Sequence, residues 1–303
     1  MATRTAKTAK TAKTAATAKT PAGAAGGRIL VGVGGWTFEP WRDNFYPRGL
    51  TQARELEFAS RALTAIEING TYYRLQSRAS FAKWHSDTPD GFVFSLKASR
   101  YSTNRRVLAE AGESIEKYFA SGIAELGDKL GPIVWQFATS KQFDAADFGA
   151  FLALLPAKVE GVPVRHAMEV RHDSFKCAEY LALARRFNVA TVYTDSDEYP
   201  SIADSTGDFV YARLMNAQAD NPTGYAPTAI DGWASAARTW VGGGHPEGLP
   251  ELIAPRDTGG SNNAPRPRDV FVYFINGAKE RAPAAAMALI QRLGGTSGKR
   301  LSL

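Results

Sequence analysis

The sequence predicts an α/β fold: a closed, TIM-like (β/α)8 barrel in a single domain, preceded by a disordered basic tail. Three observations predict it. Eight short runs rich in β-branched and aromatic residues alternate with segments of helical period, the pattern of a parallel sheet with crossover helices. The chain has 303 residues, and a barrel of this type needs about 250. Hydrophobic residues make up 44% of the chain, enough for a substantial core.

The predicted strands follow one another at intervals that leave room for a helix between most of them. They are 29–33, 64–68, 92–97, 132–137, 165–170, 189–193, 208–214 and 270–275. Helical periodicity predicts helices at 51–60, 78–86, 113–129, 145–155, 176–187, 231–241 and 281–293. Only the stretch after the sixth strand is too short for a regular helix. Eight strands with seven helices favour a closed barrel over an open sheet.

Composition separates the barrel domain, 28–295, from the segment before it. Residues 1–27 repeat Thr-Ala-Lys and predict a disordered Ala/Lys/Thr-rich tail, because they have too little apolar surface to order themselves. The tail contains five cations and no acidic residue: Arg4, Lys7, Lys10, Lys13 and Lys19. It therefore holds five of the six positive charges in the formal net charge of +6. Either the tail attracts a polyanion such as nucleic acid, or it is a solubilising extension.

Two further segments are expected to be irregular. Residues 242–268 are rich in Gly and Pro and predict an irregular insertion before the last strand, either a lid or a mobile surface segment. Residues 296–303 are expected to form a short C-terminal tail.

Cysteine usage and hydropathy predict a cytoplasmic protein without a membrane span. The single cysteine, Cys177, has no partner for an intramolecular disulfide. The N-terminus lacks the apolar run that a secretory signal requires. No stretch of about 18 apolar residues occurs elsewhere.

Polar residues late in the predicted strands mark a candidate site. In a barrel, side chains alternate between the interior and the helical layer, and the loops after the strands form the functional mouth. By this alternation Glu67 and Asn69 face inward from the second strand, and Glu169 and Arg171 from the fifth. Other strand ends and turns are expected to add further substrate-binding side chains to the same ring. These are Tyr72, Arg74, Lys97, Gln136, His172, Asp195 and Arg213.

These residue types predict recognition of an anion. The lysine and the arginines of the ring suit phosphate or carboxylate groups, and Glu67 or Glu169 would act as general acid or base. The leading hypothesis is an enzyme acting on a phosphorylated or otherwise anionic small molecule or nucleotide. The reaction class and any cofactor stay open.

Four alternatives remain. A structural ion-pair network would place the same charges without a ligand. A nucleic-acid-binding protein without catalysis would use the basic tail and the aromatic residues of the first loop. A glycosidase-type hydrolase would use Glu67 and Glu169 as its carboxylate pair. A single Mg²⁺ or Mn²⁺ held by carboxylates is the fourth, although four histidines are too few for a multi-zinc centre and no metal ligand is assigned.

Several motifs, in order along the chain, resemble the YecE-like family, also called domain of unknown function 72. The resemblance spans about residues 29–293. The motifs that carry it are Val31-Gly32-Val33-Gly34-Gly35-Trp36, Trp41-Arg42, Phe45-Tyr46-Pro47, Glu67-Ile68-Asn69-Gly70-Thr71-Tyr72-Tyr73-Arg74, Leu96-Lys97-Ala98, Glu169-Val170-Arg171-His172 and Tyr273-Phe274. The resemblance implies a TIM-like barrel and supplies no function. The chain departs from the family's pattern after the eighth strand, at 275–277 and 280–281.

Overall fold

Eight parallel strands form the centre of the molecule, which the computed structural model describes over residues 26–253 and 266–295. The strands are β1 Ile29–Gly34, β2 Ala65–Ile68, β3 Val93–Lys97, β4 Leu130–Gln136, β5 His166–Glu169, β6 Ala190–Thr194, β7 Phe209–Leu214 and β8 Asp269–Phe274. They close into a barrel in the order β1-β8-β7-β6-β5-β4-β3-β2. Every neighbouring pair is parallel. The predicted fold class is therefore confirmed.

Helices surround the barrel. They are α1 Glu55–Ala62, α2 Gly70–Tyr73, α3 Arg78–Asp87, α4 Arg100–Thr103, α5 Gly112–Phe119, α6 Ala145–Ala153, α7 Ala178–Arg186, α8 Pro227–Val241 and α9 Ala282–Arg292. The helix predicted at 113–129 is two elements, α5 and a 3₁₀ segment at Ile123–Lys129. They are separated at Gly122, whose φ of 102° is left-handed and ends an α-helix. No helix in the described ranges has both the length and the apolar character needed to cross a bilayer.

The connection between β6 and β7 contains no helix, as the sequence predicts, and another part of the chain covers it. Ala203 donates its backbone N–H to the Pro250 carbonyl at 2.8 Å. The buried Asp204 carboxylate accepts the backbone N–H groups of Leu252 at 2.7 Å and Ile253 at 3.2 Å. The first part of the predicted insertion therefore packs on the barrel wall.

Several predicted segments lie wholly or partly outside the described residues. Residues 1–25 of the predicted N-terminal tail lie outside the described ranges, as do the predicted C-terminal tail at 296–303 and residues 254–265 of the insertion.

Aromatic and aliphatic side chains fill the barrel interior below its mouth, the end where the strands' carboxyl termini lie. Phe209, Tyr211, Phe271 and Tyr273 are among the buried residues of this cluster. Gly32 makes room for them, because a Cβ there would lie 1.9 Å from the Ala65 carbonyl oxygen and 3.2 Å from the Tyr273 ring. The interior is a packed core and not a channel.

Candidate active site at the barrel mouth

Five of the predicted site residues meet inside the barrel at its mouth. Each lies at or near the last residue of its strand, points inward and is buried. They are Glu67 on β2, Lys97 on β3, Gln136 on β4, Glu169 on β5 and Arg213 on β7. We call these five residues and Arg171 the polar ring. Strand alternation brings their side chains together because the strand ends share one edge of the barrel.

Arg213 lies between the two carboxylates of the ring. Its Nε and Nη2 each donate to Glu67, to Oε2 and Oε1 respectively, at 3.0 Å, and its Nη1 donates to Glu169 Oε1 at 2.5 Å. Tyr211 adds a hydroxyl donor to Glu67 Oε2 at 2.8 Å. Burial lowers the pKa of Arg213, but the two glutamates outweigh burial and raise the pKa above its ordinary value. Arg213 is therefore a fixed counter-ion for both glutamates.

Glu169 accepts hydrogen bonds from three side chains. Besides Arg213, Gln136 Nε2 donates to it at 2.6 Å, and Arg171 donates through Nε at 3.1 Å and Nη2 at 2.7 Å. Burial raises the pKa of this carboxyl, but the charges of Arg213 and Arg171 outweigh burial and lower the pKa to about 2. A general acid has to hold a proton, and Glu169 holds none near neutral pH. A carboxylate with so low a pKa is also a weak base there.

Lys97 is the cation of the ring with the fewest protein partners. Its Nζ donates to Gln136 Oε1 at 3.0 Å and lies 4.3 Å from the centre of the Tyr72 ring. Burial and the nearby charge of Arg213 lower its pKa to about 8, against the opposing pull of both carboxylates. The side chain therefore titrates close to neutral pH.

Lys129, a second buried lysine, is a comparison for Lys97, because its ammonium group is fully hydrogen-bonded by the protein. Its Nζ donates to the His85 carbonyl at 2.6 Å, to the Thr88 carbonyl at 2.6 Å and to Thr88 Oγ1 at 3.2 Å. All three donors of an ammonium are thereby used. Lys97 has one oxygen partner among the described residues, Gln136 Oε1. Its other two N–H donors have no acceptor in residues 26–253 and 266–295.

The ring carries an excess of one positive charge when all of its groups are ionised. Its two carboxylates, Glu67 and Glu169, face three cations, Arg213, Arg171 and Lys97. A buried charge without a counter-ion is costly, so an anion from outside would be attracted to this position.

Two other predicted residues, Asn69 and Tyr72, lie beside the ring, as does Tyr199. The Asn69 amide nitrogen lies over Gly34, 2.8 Å from where a Cβ would sit at that glycine. Tyr72 covers Lys97, and the Tyr199 ring packs 4.2 Å from the Arg171 guanidinium. Sequence analysis missed Tyr199, since it lies in an irregular loop, and Tyr211, although it lies two residues before Arg213 on the same strand face.

Three predicted residues do not join the ring. Arg74 is exposed and lines a separate cleft with Tyr73 and Arg105. His172 caps a short 3₁₀ turn, since its Nδ1 accepts the Ser174 backbone N–H at 3.1 Å.

Asp195 faces the helical layer, because Thr194 before it is in register with the inward-facing Arg213. It accepts hydrogen bonds from the Met215 backbone and from the Tyr225 hydroxyl in a groove of about 800 Å³ beside α8. The prediction of one ring that includes Arg74, His172 and Asp195 is therefore corrected.

We expect the buried Glu169 to make the protein acid-labile. The pKa of Glu169 is about 2 in the folded protein and near 4.5 in the unfolded chain, so the ionised carboxylate stabilises the fold at pH values above about 5. This contribution to the unfolding free energy, about 3 kcal/mol, is lost as the pH falls from about 5 to 2. Glu169→Gln should flatten the fall in unfolding free energy over this window, measured by urea titration. The exposed Glu198→Gln is the control for loss of one charge. Equal slopes for wild type and Glu169→Gln would contradict the assignment.

Side chains of the kinds that bind metal ions do not cluster in the described part of the chain. Over residues 26–253 and 266–295, no set of three or more His, Cys, Asp or Glu side chains is arranged to hold a metal ion. The two glutamates of the ring are both bound to Arg213.

Fold and site together define a (β/α)8-barrel protein with a buried, cation-rich polar ring at the carboxyl ends of its strands. The chain belongs to the DUF72 family of proteins of unknown function, whose family model matches residues 30–302. The resemblance seen in the sequence is thereby confirmed.

Two solved structures of DUF72 family proteins share the fold of this chain, and one further relative matches part of its sequence. A DUF72 family protein from Thermotoga maritima MSB8 superimposes with a TM-score of 0.66 and 20% identity, covering 88% of this chain and 99% of that one. A DUF72 family protein from Enterococcus faecalis V583 gives 0.63 and 14%, covering 90% and 100%. The UPF0759 protein YunF of Bacillus subtilis (strain 168) is 25% identical over 114 residues, which are 36% of this chain and 39% of YunF.

Proposed function

We propose that this chain is an enzyme that acts on a phosphorylated or otherwise anionic small molecule, or on a nucleotide, bound at the barrel mouth. The observation that supports it best is the unmatched positive charge of the polar ring at Lys97. Two of the three Lys97 donors lack a protein acceptor within the described part of the chain.

An ion-pair network alone does not account for Lys97. Glu67 and Glu169 carry two negative charges, which Arg213 and Arg171 already balance, so the network is complete without a further cation. Adding a buried ammonium to a neutralised set costs stability instead of providing it. Residues that are kept at such a cost are typical of functional sites.

The ring residues would then have distinct roles. Lys97 and Arg171 would bind the anionic group, and Asn69 and Gln136 would offer amides to the rest of the substrate. Lys97 would also exchange protons with the substrate, because its pKa of about 8 lies close to neutral pH. Glu67 and Glu169 would hold Arg213 and orient the cations, a positioning role.

The setting that we propose for this activity is the cytosol. The one cysteine of the chain, Cys177, is free, so no intramolecular disulfide adapts the chain to an oxidising compartment.

Thermal unfolding of the full chain with added anions tests the proposal. Inorganic phosphate, a hexose phosphate, a nucleoside monophosphate and a short single-stranded oligonucleotide are the probes. A ligand at 100 times its Kd should stabilise the folded protein by about 2.7 kcal/mol. Arg171→Ala and Lys97→Met should abolish the shift, whereas the exposed Lys83→Met should keep it. A shift that survives both mouth variants would place the anion elsewhere, and no shift with any probe would reject the proposal.

A second candidate, a nucleic-acid-binding protein, is favoured by one surface feature beside the mouth. Tyr73 and Tyr101 are exposed, and the Arg100 guanidinium lies 5.9 and 5.4 Å from their ring centres. Exposed aromatic rings among arginines suit stacked bases. Among the first-loop aromatics, Trp41 and Tyr46 are buried, whereas Trp36, Phe38 and Phe45 are partly buried against the core.

The two candidates respond differently to salt. Oligonucleotide binding should weaken steeply between about 50 and 200 mM salt and should be lost in Arg100→Ala, with Arg171→Ala unaffected. Deleting residues 1–27, most of which lie outside the described ranges, tests the tail: an unchanged salt dependence would remove it from the interface.

A further inference from the structure

We propose that the Lys97 amine is a nucleophile, which forms an imine with the carbonyl carbon of a small anionic aldehyde or ketone bound at the barrel mouth. The inference rests on the proposed function, since it assigns a chemical class to the substrate of the same site. It gives Lys97 a covalent role in addition to anion binding.

The surroundings of Lys97 favour its neutral, nucleophilic form. Arg213 and Arg171 do not lose protons in proteins, so the positive excess of the ring is relieved only when Lys97 releases one. Desolvation and neighbouring cations are the means by which proteins activate a lysine as a nucleophile. Both act here, because Lys97 is buried and Arg213 is the first among the charges that lower its pKa.

Hydrogen bonding fixes the direction of the neutral amine. Gln136 Nε2 is bound to Glu169 Oε2 at 2.6 Å, and the same amide therefore turns its Oε1 toward Lys97. A neutral amine that donates one N–H to this oxygen keeps its lone pair and its second N–H for a substrate. The Tyr72 ring, 4.3 Å from Nζ, covers another side of the amine, so a substrate has to approach from a side that neither Gln136 nor Tyr72 occupies.

Arg171 supplies the second half of the recognition. Its Nε and Nη2 are bound to Glu169, and its Nη1 meets no acceptor in residues 26–253 and 266–295. Stacking on Tyr199 holds the guanidinium plane in place. A substrate with a carboxylate or phosphate at Arg171 and a carbonyl group at Lys97 fits both free positions.

The covalent step balances without an additional reactant. The amine nitrogen attacks the carbonyl carbon, a C–N bond forms, and the C=O π electrons move to oxygen, which takes up a proton. That proton is the first of the two on the amine nitrogen. The second passes to the hydroxyl oxygen as the C–O bond breaks, so that the oxygen leaves as water and the C=N bond forms. The products are an imine and one water molecule, with no change in oxidation state.

Reductive trapping tests this inference. The full chain is incubated with glyoxylate or with pyridoxal 5′-phosphate, two anionic aldehydes of different size, reduced with borohydride, and mapped by peptide mass spectrometry. We expect modification of Lys97, suppressed by inorganic phosphate. Its rate should rise with a midpoint near pH 8, because the pKa of Lys97 is lowered to about 8. At pH 7 the neutral fraction of such an amine is roughly 300 times that of an ordinary lysine.

Matched lysines complete the experiment. Lys129, buried with three oxygen partners, should stay unmodified, and the exposed Lys83 should react only at higher pH. Modification of Lys83 with none at Lys97 would overturn the inference. If Lys97 is not trapped but phosphate still stabilises the protein through Lys97 and Arg171, the inference fails and the proposed function stands. If Lys97 is not trapped and phosphate does not stabilise the protein, both the inference and the proposed function fail.

Discussion

Arg213→Met should destabilise the protein by about 3–5 kcal/mol, because it leaves the buried Glu67 carboxylate without its counter-ion. Glu169 loses one of its two arginine partners and keeps Arg171. Glu67 and Glu169 are both buried and both bound to this one guanidinium. Chemical denaturation at pH 7 measures the loss. Part of it should be recovered at low pH, where the orphaned Glu67 carboxyl takes up a proton and loses its charge.

Arg78 offers a matched control on the surface. It also bridges two glutamates, Glu125 and Glu160, but all three side chains are exposed to solvent. Arg78→Met should therefore have only a small effect, as is typical of exposed ion pairs. Equal losses at Arg78 and Arg213 would contradict the role of burial. Should Arg213→Met fail to fold, adding Glu67→Gln should restore folding. The double change removes one cation and one anion, so the ring keeps its wild-type net charge and Glu169 keeps Arg171.

Lys97→Met should stabilise the protein at pH 7 by about 1–2 kcal/mol while removing anion binding. Burial of the ammonium costs about 3 kcal/mol, since the pKa falls from 10.5 to about 8. Part of this gain is offset because Gln136 Oε1 loses its donor. A more stable but inactive variant is the expected signature of a residue that is kept for function.

The pH dependence of the Lys97→Met effect gives an independent check. A lysine whose pKa is lower in the folded than in the unfolded protein destabilises the fold, and the whole effect is present at pH values below its folded-state pKa. This cost in unfolding free energy disappears as the pH rises toward the pKa of the unfolded chain. Wild-type stability should therefore increase between about pH 8 and 10.5 relative to Lys97→Met. Thermal unfolding of both proteins across this range measures the difference. A variant that is less stable than wild type at pH 7 would contradict the charge excess of the ring.

The fold could be predicted from the sequence because its signals are local. Residues 209–211 and 270–274 are continuous runs of β-branched and aromatic residues, which is typical of strands buried on both faces. The same alternation predicted that Glu67 and Glu169 face inward. The same alternation places Asp195 on the outer face of the barrel, toward the helices, because Thr194 before it faces inward.

The pairing within the ring could not be predicted from the sequence. Arg213 and Glu67 are 146 residues apart in the chain, and their contact depends on how the barrel closes. Which carboxylate binds which cation then decides the chemistry. It turns Glu169 into a fixed anion and leaves Lys97, assigned only to anion binding by residue type, as the group that titrates near neutral pH.

The barrel wall between β6 and β7 has no helix and is covered by residues 250–253, which come later in the chain. This arrangement has a consequence for the order of folding during synthesis. The backbone N–H that binds Asp204 belongs to Leu252, 48 residues later in the chain. A ribosome needs roughly 2–10 s to add that length. Over this interval Asp204 has Arg185, which lies 3.6 Å away in the folded protein, as its ion-pair partner, and the wall beside it stays open. Truncated chains that end before residue 250 should thus expose a hydrophobic face that the finished barrel hides, and they are the forms for which we expect a chaperone to compete.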